Sequence, residues 1–123
     1  MEEVRVVKQL YNKYLFPKMA AHQQAMLVPG IFGCAGAIVD GKPFSLEEQG
    51  ARIVKKLQAY FSWAKEEPRI AGFWPWHFNN RTDKPSTVRP GFCDMAPGGV
   101  AMPAVVQKLQ EIGKFIVGNE SKL

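Results

Sequence analysis

Two short apolar runs, residues 25–28 (Ala, Met, Leu, Val) and Ile70–Phe73, constrain this chain more than any other feature. Each has the length of a buried strand and is too short for a helix. Between them lies a strong helical pattern. Ser45-Leu46-Glu47-Glu48 matches a capping box, in which the Ser45 hydroxyl meets the third helical N–H and Glu48 reaches back. Ile53, Val54, Leu57, Tyr60, Phe61 and Ala64 then fall on one helical face, and Pro68 ends the segment. Strand, capped helix and strand form a βαβ unit with a right-handed crossover.

The flanks add two helices. Val4, Val7, Leu10, Tyr11 and Tyr14 predict a helix over residues 3–15, closed by Pro17. Pro103 suits the first turn of a last helix whose stripe is Val105, Val106, Leu109, Ile112 and Ile116, with Gly118 as its stop. Residues 79–99, rich in Pro, Gly, Asn, Asp and Thr, read as a long loop. The order α-β-α-β-α over residues 1–118 is one α/β domain or partial barrel, and residues 119–123 form an exposed tail. Two parallel strands cannot shield their own edges. A second copy in a homo-oligomer, or a missing segment, is expected to complete the sheet.

Composition excludes more than it selects. A chain of 123 residues, 46% hydrophobic and 22% charged, suits one globular domain. No apolar run approaches the ~20 residues of a membrane helix, and residues 1–10 lack the apolar stretch of a secretory leader. The net charge of +5 is scattered along the chain, whereas a nucleic-acid binder gathers its charge on one face. Cys34 and Cys93 make neither a disulfide framework nor a metal-type pair. No metal or cofactor is expected, and neither a membrane nor a nucleic acid is an expected partner.

Chemistry concentrates where residues 70–81 leave the second strand. Trp74, Trp76, His77, Asn79, Asn80 and Arg81 follow one another there. An indole offers a flat apolar face with one donor, and the amides and imidazole beside it can orient a ligand. The bland alternative is that both indoles fill the core. The first strand exits into Pro29, Gly30, Phe32, Gly33 and Cys34. Because parallel βα architectures bind ligands at strand C-termini, two neighbouring exits would build one site.

This stretch resembles the eighth strand of barrel-type glycoside hydrolases, in which a strand-end tryptophan floors the sugar subsite. Residues 25–33 would then correspond to the seventh strand and the final helix to the last of a (β/α)8 barrel. The resemblance implies a saccharide ligand, with Trp76 or Trp74 stacked on a sugar and His77 and Asn79 near its hydroxyls. The chain departs from the pattern at residues 28–33, which hold no carboxylate where many such enzymes place a glutamate. Hydrolysis of a glycosidic bond takes two flanking carboxylates. The expectation is a carbohydrate-directed barrel fragment that is not catalytically complete alone.

Two alternatives use other residues. A non-catalytic binding or interaction module would use the same aromatic edge. A hydrolase would pair the Cys34 thiol with His77 as base, oriented by Asn79 or Asp94. Separately, Ser121-Lys122-Leu123 spells a receptor-read peroxisomal address. In a eukaryotic chain the import receptor would be a partner; otherwise the expected location is cytoplasmic.

Overall fold

The computed structural model describes residues 2–33, 38–76, 81–82, 95–96 and 99–119. In chain order these form α1 (Glu2–Leu10), a π-turn (Tyr11–Leu15), a 3-10 turn (Phe16–Lys18), β1 (Ala25–Leu27), β2 (Ile38–Val39) and β3 (Lys42–Pro43). There follow α2 (Leu46–Glu66), β4 (Ile70–Phe73), β5 (Arg81–Thr82), β6 (Met95–Ala96), a 3-10 turn (Gly99–Ala101) and α3 (Pro103–Gly118). Three α-helices and a short parallel sheet make the chain α/β. It divides into two compact units, Met1–Pro29 with Lys55–Pro75, and Gly30–Val54 with Trp76–Leu123.

The first unit holds the expected parallel pair. Ala25 lies opposite Ile70, Met26 opposite Gly72 and Leu27 opposite Phe73, so Ala71 is the extra residue of a bulge. The Ala25 N–H donates to the Arg69 carbonyl and the Trp74 N–H to the Leu27 carbonyl, both at 2.7 Å. One face of the pair is buried: Ala25, Leu27 and Ile70 join Val4, Phe16, Tyr60 and Trp63 in a core. Tyr11 stands edge-on to both Phe16 and Trp63, with centroids 5.7 and 5.3 Å away. Tyr60 and Trp63 thus serve as packing residues, as their spacing on α2 implies.

The opposite face of the pair departs from the sequence reading. A strand of residues 25–28 buried on both sides is the usual parallel arrangement. Here burial alternates, and Met26 and Val28 are exposed while Ala25 and Leu27 are not. The reason is geometric: side chains alternate across a strand, and the buried core lies on one side only.

The first helix also differs from the uninterrupted span over residues 3–15. Its α-helical part stops at Leu10, and the chain passes through a π-turn into a 3-10 turn. Pro17 cannot donate to the carbonyl one α-turn earlier, so regular hydrogen bonding cannot run through it. The Met19 N–H instead closes on the Phe16 carbonyl at 3.2 Å. Tyr60 ties α1 to α2 by donating its hydroxyl to Glu3 at 3.2 Å. Burial, with the Glu3 carboxylate beside it, pushes the Tyr60 phenol up to about 12.

The end of α2 is built by charge. Glu67 accepts two bonds from the Arg69 guanidinium, at 2.7 and 2.8 Å, and a third from the Arg69 N–H at 3.1 Å. The same guanidinium lies 3.9 Å from the Phe16 ring centroid. This turn aims the Arg69 carbonyl at β1.

The second unit buries Ile31, Ile53, Met102, Val105 and Ile112. Ser45 and Glu48 form the expected reciprocal cap, with bonds of 3.1 and 3.0 Å. Met102 packs over Gly50, where an added Cβ would lie 3.6 Å from the Met102 Cβ. α3 starts at Pro103 and ends at Gly118 as its signals imply, with Asn119 bonding back to the Phe115 carbonyl at 2.8 Å. Ile116, placed on the apolar stripe by periodicity, is exposed.

Two antiparallel pairings lie outside the two strands expected from the sequence. β2 and β3 pair across Asp40 and Gly41, whose φ values of 51° and 74° are those of a type I′ turn. β5 and β6 pair Arg81 with Ala96 and Thr82 with Met95 inside the expected long loop of residues 79–99.

Replacing Ser45 by Ala is expected to lower stability by about 1 kcal/mol, read by urea denaturation, because it removes one half of the cap. A second expectation concerns pH. Arg69 holds the Glu67 carboxyl well below its usual 4.5, at about 2. A depressed folded pKa gives stability that is present above about pH 4.5 and lost as pH falls toward 2. The stability difference between the native chain and Glu67→Gln should be full at neutral pH and vanish across that window.

Candidate functional site

In the second unit the chain leaves the strand region with strict alternation. Ile31 is fully buried, Phe32 is 46% exposed, and Gly33 is buried again. Gly30 and Trp76 form a parallel bridge, and the Ile31 N–H donates to the Trp76 carbonyl at 2.7 Å. This pairing puts the Phe32 and Trp76 side chains together. Their ring centroids are 6.4 Å apart at an interplanar angle of 70°, an edge-to-face pair. Trp76 remains 53% exposed, so the pair is a surface feature and not core filler.

Gly33 seats this turn against the start of α2. A Cβ at Gly33 would lie 2.9 Å from the Gln49 Oε1 and 3.0 Å from the Leu46 Cδ2. Gln49 has little room to yield, being buried and donating its side-chain amide to the Phe44 carbonyl at 2.8 Å. The position of Phe32 therefore follows from two anchors, Ile31 in the core and Gly33 against Gln49.

Trp74 belongs to the first unit, just beyond β4. Its N–H is committed to the Leu27 carbonyl, while 68% of the residue faces solvent. Val28 is likewise exposed. Phe32, Trp74 and Trp76 are the expected ligand-binding residues that the structure describes, and all three are open to solvent. His77, Asn79, Asn80 and Cys34 lie outside the described residues, as do Cys93 and the tail residues Ser121, Lys122 and Leu123.

Five of the described carboxylates have structural occupations, while Asp40, Glu47 and Glu66 are described without one. Glu48 caps α2, Glu67 holds Arg69, Glu111 pairs with Lys108, and Glu2 pairs with Arg5. Glu3 accepts from Tyr60 and lies 3.9 Å from the Lys56 ammonium. Asp83 and Asp94 fall outside the described residues. Among the described residues no His, Cys, Asp and Glu group could hold a metal ion. No described helix is long and apolar enough to cross a membrane.

No protein-family model, curated protein or solved structure matches the chain.

The anchoring of Phe32 is testable through Gly33. Gly33→Ala is expected to cost about 1–3 kcal/mol by overpacking, measured as a lowered denaturation midpoint. Adding Gln49→Ala should recover part of that loss if the Gln49 amide is the obstacle.

Proposed function

We propose that this chain is carbohydrate-directed and binds a saccharide through indole faces beside parallel strand ends, without hydrolysing it unaided. The observation that carries this reading is the solvent exposure of Trp76 beside Phe32 in the second unit, with the Trp76 carbonyl bonded to the Ile31 N–H; Trp74 in the first unit offers a separate exposed indole. Main-chain bonds fix the backbone from which each indole projects, and a tryptophan has only two side-chain torsions to immobilise, so stacking costs modest side-chain entropy. Edge-on contact with Phe32 further restrains the Trp76 ring. Apolar C–H faces of a pyranose ring fit such a platform, and its hydroxyls remain in water or meet nearby polar groups.

Binding is favoured over hydrolysis because five of the described carboxylates are engaged in structure and none of the described ones is placed beside Trp76 as one of a pair. A glycosidase needs one carboxylate as acid and another as base or nucleophile on either side of the bond. Glu48, Glu67, Glu111, Glu2 and Glu3 instead cap helices, brace a turn or pair with cations and a phenol. The short parallel pair, with α2 between its strands in sequence, is consistent with the final portion of a (β/α)8 barrel. On this reading the remaining strands come from another copy or another segment.

Titration with soluble oligosaccharides, among them cellohexaose and chitohexaose, should quench or shift the emission of the exposed indoles. Trp76→Ala should weaken the interaction roughly tenfold, the loss expected for a central aromatic anchor. The same preparation should leave aryl glycosides intact. Quenching that persists at full strength in a Trp74→Ala/Trp76→Ala double variant would overturn the reading.

A further inference from the structure

At the end of β1 opposite Trp74, the first unit contains a cleft of about 450 Å³. That volume lies within the roughly 300–1,000 Å³ of small-molecule sites. Its lining includes the apolar side chains of Leu15, Met19 and Met26 and the ring of Tyr11. Lys18 is the charged residue of the lining, and no Asp or Glu takes part in it. Lys18 makes no ion pair among the described residues.

Two glutamines of the lining, Gln23 and Gln24, are oriented in complementary ways. Gln23 accepts the Ala20 N–H through Oε1 at 2.8 Å, which leaves its amide N–H groups to donate. Gln24 donates Nε2 to the Pro68 carbonyl at 3.3 Å, which leaves its Oε1 to accept. The Tyr11 ring is held from two sides by Phe16 and Trp63, so that part of the lining is rigid. Tyr11 and Leu15 are the first and last residues of the π-turn, a distortion that is frequent at functional sites.

We propose that this cleft is a binding site for a small organic carboxylate with an apolar body. The carboxylate meets the Lys18 ammonium and the Gln23 amide, and the hydrocarbon part lies along Leu15, Met19 and Met26. The Lys18 cation, without a carboxylate partner among the described residues, selects charge, because an ammonium beside an anion makes a charge-assisted bond. The flexible thioethers accept an aliphatic or aromatic body without demanding one shape. This site is independent of the saccharide reading and uses none of its residues.

The test is titration of the ¹⁵N-labelled full chain with hexanoate, and in parallel with the neutral analogue hexanol. Hexanoate should shift the amides of residues 15–26 in a saturable manner, with hexanol at least about fivefold weaker. Lys18→Gln, an exposed substitution, should leave the spectrum of the free protein folded and weaken hexanoate about fivefold or more. Equal affinity for hexanoate and hexanol would overturn the proposal. So would unchanged affinity in Lys18→Gln, or shifts centred on Trp76 instead of the cleft. Saccharide titration of Lys18→Gln should match the native chain, which separates this site from the indole edge.

Discussion

The parallel pairing of Ala25–Leu27 with Ile70–Phe73 is the constraint on which the first unit depends. Two main-chain bonds at 2.7 Å lock the ends of the pair, and the aromatic side chains of α2 cover one of its faces. Once that face is occupied by Tyr60 and Trp63, alternation leaves Met26 and Val28 nowhere to go but solvent. In the second unit the same rule operates around Ile31: its burial directs Phe32 outward beside Trp76. Exposure of large apolar groups is thus a consequence of strand geometry with a core on one side.

Electrostatics works around this framework and not at its aromatic surface. Glu67 and Arg69 close the turn that presents the Arg69 carbonyl to β1, and Phe16 carries the guanidinium on its ring. Exposed ion pairs contribute little by themselves. This one also positions backbone, because the Arg69 N–H and carbonyl are both engaged. The Lys18 cleft differs, since there a cation shares a lining with apolar side chains and makes no ion pair among the described residues.

Several elements were legible in the residues. Ser45 and Glu48 marked the start of α2, Pro68 its end, and Pro103 and Gly118 the bounds of α3. The side-by-side direction of the two apolar runs followed from the helix between them. Asp40-Gly41 also carried a hairpin signal, a pair of residues tolerant of positive φ. The π-turn had no such signal: periodicity through Tyr14 continues as if the helix did, while Pro17 disturbs the hydrogen bonds from beyond the pattern. Pairing of β5 with β6 joins residues far apart in a polar segment, where no hydrophobic alternation could announce it.

The candidate site divides along the same line. Residue chemistry alone singled out Phe32, Trp74 and Trp76 as flat apolar groups at strand exits. Whether an indole is core or surface is not written in its neighbours, because burial depends on which strand face meets a helix. Tertiary structure decided that Trp63 is inside and Trp76 outside, though the two are the same residue type. Local patterns and caps act within a few residues and so can be read directly from the amino-acid sequence. Burial and the contacts of Tyr11 with Trp63 and of Phe32 with Trp76 arise from residues brought together over long separations, and only the folded chain determines them.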